Sequence, residues 1–138
     1  MRAIIVFYAA SLLAYLLLDA VWLGLTANAI YRASLGGIMI SGFRPAPALA
    51  VYLLQVLGLT VFVRPRASAT GGAAAFGYGF CFGVFTYGLY DLTNLATLKY
   101  WTLGLSLTDM VWGGVVSALA SLCGWLAARR FVRQRIFK

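Results

Sequence analysis

The chain has 138 residues, of which 63% are hydrophobic and 10% charged, and it carries a net charge of +8. Soluble domains carry about 25% charged residues, and a chain of this length makes one compact domain, so no water-facing fold has an interior for this apolar excess. A mean hydropathy of +0.91 points to lipid as the solvent, and the lack of histidine excludes Ser-His-Asp triads and imidazole metal sites.

Four apolar runs, Ala3–Leu25, Ala46–Val63, Gly72–Leu95 and Leu103–Ala127, each have about the 20 residues that a spanning helix needs. Backbone polar groups in a bilayer must be satisfied internally, and no period-2 alternation of the barrel type is present. The expected fold class is all-α: a four-helix transmembrane bundle forming one domain, residues 1–128, followed by a basic tail, residues 129–138.

The first run also admits a signal-peptide reading, with Arg2 ahead of it and Ala27-Asn28-Ala29 behind. Its length, and its interruption by Asp19 and Trp22, favour a span. Helix 1 is expected to continue to about Leu35, where Gly36-Gly37 would stop it. In "FRPAP" Pro45 or Pro47 suits the first turn of helix 2. "RPRASATGG" reads as a short basic loop. "ATLKYWTLG" reads as a loop whose Tyr100 and Trp101 fit the interfacial aromatic belt. Short links make sequential helices antiparallel neighbours. Cys81 and Cys123 fall at different depths on this scheme, too far apart along the bundle axis for a disulfide, and read as small apolar filler.

With four spans the termini share a side. That side holds Arg2, Arg64, Arg66, Arg129, Arg130, Arg133, Arg135 and Lys138, and the other only Arg32, Arg44 and Lys99. The excess predicts cytoplasmic termini. The tail "RRFVRQRIFK" then faces anionic lipid headgroups, and the positive charge does not call for a nucleic-acid partner.

Asp19, Asp91 and Asp109 are the only acidic residues of the protein. All three fall inside predicted helices, where an Asp costs about 2.5–3.5 kcal/mol at the helix centre. Asp19 and Asp91 come late in helices running outward and Asp109 early in one running inward. Each is therefore roughly 6–9 Å below the outer boundary, at 1.5 Å per residue. Helix 3 sets Ala75, Gly79, Gly83, Tyr87 and Asp91 at four-residue steps, followed by Asn94. Helix 4 sets Asp109, Gly113, Ser117 and Ser121 at the same step. Helix 1 shows Ser11, Tyr15, Asp19, Trp22 and Thr26 along one face. Helix 2 offers Tyr52 and Gln55 but no charge. These faces predict a polar pocket between helices 1, 3 and 4, with Asp19, Asp91 and Asp109 projecting inward and Trp22, Tyr87, Asn94 and Trp112 lining it.

Structural roles compete with this reading. A buried Asp can serve as glue, paired with a cation or with backbone amides, and Asp109 lies near the start of helix 4, where the helix dipole favours an anion. Trp22, Trp112, Tyr15 and Tyr87 suit packing or pocket walls. Lys99 reads first as a loop cation at the interface and second as a partner of Asp91. One internal echo stands out: "DAVWLG" at Asp19–Gly24 and "DMVWGG" at Asp109–Gly114, on helices of opposite direction. It is compatible with chance, with a shared packing solution, or with an inverted repeat of the transporter type.

The stretches "YLLLDAVWLGL", "TYGLYDLTNLATLKYW" and "LTDMVWGGVVSAL" resemble DUF2177, a family of uncharacterised bacterial integral membrane proteins, over nearly the whole chain. The residues that match its pattern are Asp19, Trp22, Tyr90, Asp91, Thr93, Asn94, Lys99, Asp109 and Trp112. The resemblance implies a small four-helix protein of the bacterial cytoplasmic (inner) membrane and supplies no catalytic role.

Three functions compete. The first is a binding or accessory protein whose outer polar pocket takes a small molecule, an ion, a lipid headgroup or a partner subunit; the glycine faces also suit a homo-oligomer. The second is a lipid- or isoprenoid-modifying enzyme in which Asp19, Asp91 and Asp109 supply a general base or hold Mg²⁺, a cation that prefers carboxylate oxygens. The third is a small oligomeric transporter. No cofactor is assigned, and two distant cysteines do not make a thiolate zinc site.

The topology is testable in intact cells. A cysteine at Ser68 should be shielded from a membrane-impermeant thiol reagent and one at Ser41 labelled. The reverse pattern would place the aspartates on the cytoplasmic side.

Overall fold

The structure is a computed structural model that describes residues 1–26, 31–32, 35–37, 39–40, 42 and 44–136, with side chains through Phe131. It is all-helical, with four long helices and no strand among the described residues. Helix α1 runs Arg2–Thr26, α2 Pro45–Thr70, α3 Gly72–Thr97 and α4 Leu103–Ile136. Each is long and apolar enough to cross a membrane; the spans hold 25, 26, 26 and 29 residues, against about 20 needed for the hydrocarbon core.

The four expected spans are present, with longer ends. The second connection differs from the sequence reading. "RPRASAT" is helical, Arg64–Thr70, and continues α2. The chain turns at Gly71 alone, whose φ of +106° is one that glycine adopts without the steric cost a Cβ brings. The Gly71 amide donates to the Ala67 carbonyl and closes the helix. The join inside α2 is a π-helical turn, Leu59–Val63, in which the Arg64 amide reaches back five residues to the Leu59 carbonyl. Pro65 explains it: proline has no N–H to continue the ladder, and its ring crowds the preceding turn. Helix α4 likewise extends beyond the expected end at Ala127, through the first part of the basic tail, to Ile136. Pro45 opens α2 as expected. The expected extension of α1 to Leu35 and the Ala27-Asn28-Ala29 motif run through residues 27–30 and 33–34, outside the described ones, as does Ser41.

Helix α4 is the central element. Of its most apolar window 44% is buried inside the protein, against 22% for each of the other spans. It lies between α1 and α3, and small residues let both approach. A Cβ on Gly83 would stand 2.0 Å from the Gly113 carbonyl oxygen, one on Gly79 2.8 Å from the Ser117 carbonyl oxygen, and one on Gly113 2.2 Å from the Tyr87 ring. On the other flank a Cβ on Gly124 would meet the Ser11 hydroxyl at 2.1 Å. Helix α2 leans on α3 through Gly58, where a Cβ would meet the Phe82 ring at 2.4 Å. Small residues at contacts are how helices pack when apolar side chains gain nothing by leaving lipid. The core joins Phe7, Tyr15, Val56, Leu59, Val63, Val116 and Ala120 across α1, α2 and α4.

The cysteines differ from expectation. Cys81 and Cys123 are free, as expected, yet both are exposed on the outer surface of the bundle and fill no core space.

Gly83→Leu is expected to fail. Its side chain would have to enter the space of the α4 backbone, and even modest overpacking costs about 1–3 kcal/mol. Thermal unfolding in detergent, or the yield of folded protein, should show it. Wild-type behaviour would mean that α3 and α4 do not meet at this face.

Candidate functional site

The three aspartates all lie at the end of the bundle opposite the termini. They come from α1, α3 and α4, and Asp19, Asp91 and Asp109 are 7%, 0% and 7% exposed. None faces lipid, as the cost of an uncompensated acid there requires.

Asp19 is held by two donors from two helices. The Tyr52 hydroxyl of α2 donates to one carboxylate oxygen at 2.6 Å, and the Trp112 indole N–H of α4 donates to the other at 2.9 Å. Hydrogen bonds to a charged group contribute about 1.5–3 kcal/mol each, so the pair offsets the cost of placing the acid. Asp109 accepts from the Tyr31 hydroxyl, which lies in the connection between α1 and α2. The same hydroxyl accepts from the Trp22 indole N–H at 3.3 Å. Burial, then the bond to Asp109, pushes the Tyr31 hydroxyl above the ordinary tyrosine range, so it stays a donor.

The two echo motifs meet here. Trp22 and Trp112 stack with ring centroids 4.5 Å apart and planes 6° from parallel. Asp19 of one motif takes the indole N–H of the other directly. The reciprocal pairing, Asp109 with Trp22, runs through the Tyr31 hydroxyl. The echo thus corresponds to a two-fold-like contact between antiparallel α1 and α4. Beside it a groove of about 420 Å³ is lined by Trp22, Leu107, Thr108, Val111, Trp112 and Val115.

Asp91 differs from the other two. It is fully buried, and neither carboxylate oxygen has a hydrogen-bond partner among the described residues. Its main-chain carbonyl accepts from Ser106 at 3.4 Å, and Ser106 in turn accepts from the Trp101 indole N–H at 3.0 Å. Ser106 precedes Asp109 by one turn of α4, so Asp91 stands against the turn that leads into Asp109. Leu35, Trp101 and Leu105, with Tyr31 and Leu95, form a small apolar cluster at this end, joining the first connection to the α3–α4 turn.

Below the acids, toward the middle of the bundle, the polar contacts continue. The Tyr15 and Tyr87 hydroxyls are 2.7 Å apart. The Gln55 amide donates to Thr86 at 2.9 Å and to Ser117 at 3.2 Å.

Of the residues expected to line the site, Asp19, Trp22, Asp109 and Trp112 form one bonded group, and Tyr87 belongs to the layer beneath. Asn94 is half-buried. Tyr90 is 58% exposed, with its ring edge-on to Trp101 at 5.5 Å. Lys99 is exposed, and its ammonium lies 5.5 Å from the Tyr100 ring centroid; it makes no pair with Asp91, whose oxygens are unpartnered. Among the described residues no three acidic or thiol side chains are grouped to hold a metal ion, so the hard-cation reading of Asp19, Asp91 and Asp109 finds no chelating geometry.

Three participants fall outside the candidate set that the sequence suggests. Tyr52 reads from the sequence as an uncharged residue of helix 2, yet it and Gln55, one turn apart, are the polar face that α2 turns inward. Tyr31 had no periodic signal, because it belongs to a connection. Ser106 lay outside the four-residue polar stripe of helix 4.

The model of a family described as "Predicted membrane protein (DUF2177)" matches residues 4–126. No curated protein and no solved structure gives a significant match. The matched stretch takes in most of each of the four spans and all three aspartates, and the chain therefore belongs to the DUF2177 family of predicted membrane proteins.

Proposed function

We propose that this small membrane protein is a binding protein whose acidic end takes a positively charged group, an amine or ammonium, from a lipid headgroup or a small amphiphile. The observation that carries the reading is Asp91: a fully buried carboxyl with both oxygens unpartnered among the described residues. A buried carboxylate without donors is expensive, and a cationic donor is the most effective way to satisfy it. The rest of the layer favours a cation from outside. Asp19 and Asp109 are bonded to neutral aromatic donors and Asp91 to none, so among the described residues no cationic side chain is bonded to any of the three acids. The Trp22 and Trp112 indoles add π surface that attracts cations, and the apolar groove beside them would take the hydrocarbon part of an amphiphile. On the topology with cytoplasmic termini this end meets the outer leaflet.

Native mass spectrometry of wild type and Asp91→Asn from bilayers containing phosphatidylethanolamine and phosphatidylglycerol tests the reading. Wild type should retain an amine-bearing species. Asp91→Asn, which keeps size and removes charge, should lose it at least tenfold while unfolding at a similar temperature. If wild type retains none, or Asp91→Asn retains it equally, Asp91 is a packing group and the reading fails.

A further inference from the structure

The opposite end of the bundle carries a second feature that no acid explains. A cavity of about 760 Å³ opens between the start of α1, the last turns of α2 and the α4 stretch near Arg129. Phe7, Trp125, Ala3 and Ala128 form an apolar wall. Arg64, Arg129, Ser68 and Thr70 supply the polar groups, and Gly71 supplies backbone.

Two cations share this cavity. Arg64 is half-buried. Arg129 is placed over the Trp125 ring, with its guanidinium 5.1 Å from the centroid, which holds it at the cavity wall. The three carboxylates of the protein are all accounted for at the far end, so no side chain of this chain can neutralise this pair. A third electropositive element adjoins. Helix α3 begins at Gly72, right after the cavity-lining Gly71, with no side chain capping its first amides. Free amides at the start of a long helix attract anions.

We propose that this cavity binds the phosphate of an anionic phospholipid from the leaflet at the terminal end. Arg64 and Arg129 bind the phosphate oxygens, a geometry guanidinium groups favour. Ser68 donates at its rim, whereas the Thr70 hydroxyl already donates to the Arg66 carbonyl at 2.8 Å. One acyl chain lies along Phe7 and Trp125. The apolar wall selects a lipid over free phosphate, because an inorganic ion would leave that wall unused. The site is separate from the acidic end, so either can fail without the other. It is also more specific than general attraction between a basic tail and a charged surface, since it names two arginines out of the basic set.

The test uses the full chain purified in a zwitterionic detergent and titrated with phosphatidylglycerol, with diacylglycerol of the same chains, and with inorganic phosphate. Bound copies are counted by native mass spectrometry. One phosphatidylglycerol should be retained more tightly than any further copy. Arg64→Gln and Arg129→Gln should each weaken that copy about tenfold or more. Arg130→Gln, which removes an exposed charge outside the cavity, should leave it unchanged. Ser68→Leu, which fills the rim without changing net charge, should weaken it too, and covers the case in which an arginine variant folds poorly. Equal retention of diacylglycerol, an equal loss in Arg130→Gln, or no preferred copy in wild type would overturn the proposal. So would saturation by inorganic phosphate alone that displaces the lipid with no contribution from the chains.

Discussion

A carboxyl group cannot be left facing hydrocarbon, and the upper half of this bundle is arranged around that constraint. Three helices each bring one Asp to the same end, and each Asp is turned inward. Satisfying Asp19 recruits Tyr52 from α2 and Trp112 from α4, so one carboxylate fixes the relation of three helices. Asp109 recruits Tyr31, which ties the first connection onto the bundle. A pair of stacked indoles joins the two groups. Asp91 alone is left without a donor among the described residues, and a group that the fold has paid to bury and has not satisfied is where a ligand has most to offer.

The inward turn of these acids depends on close helix approach, and that depends on side chains that are nearly absent. Gly79, Gly83 and Gly113 bring the α3 and α4 backbones together, and Gly124 admits α1. In water such a surface would be poor packing, because apolar bulk drives association there. In lipid, bulk gains nothing, and backbone proximity with hydroxyl and amide contacts does the work. The Ser117–Gln55–Thr86 contacts sit in this seam. The large apolar side chains point outward instead, as at Leu13, Leu17, Leu54, Phe62, Phe85 and Leu89.

The molecule is electrically divided. Its acids lie at one end and most of its cations belong to the other, so neither end can neutralise the other across a bilayer core about 30 Å thick. The ligands we propose for the two ends accordingly carry opposite charge: a cation where the aspartates gather, an anionic headgroup where Arg64 and Arg129 share a cavity.

The sequence alone determined the solvent, the number of helices, the inward acids and the small-residue faces. These follow from composition, from run length and from the four-residue spacing of Gly79, Gly83, Tyr87 and Asp91, all local properties that a helix converts into geometry without further information. Even the unequal treatment of the two halves was legible as a charge count. The tertiary structure decided partnership. That Tyr52 serves Asp19, that Tyr31 bridges Asp109 and Trp22, and that the two Asp-x-x-Trp motifs stack on each other depend on how each helix is rotated and slid against its neighbours, and residues in connections have no period to announce them. Nor did the sequence show that the segment after Pro65 would stay helical up to Gly71. Proline reads locally as a break, and only packing against α3 and α4 shows that a π-helical turn absorbs it.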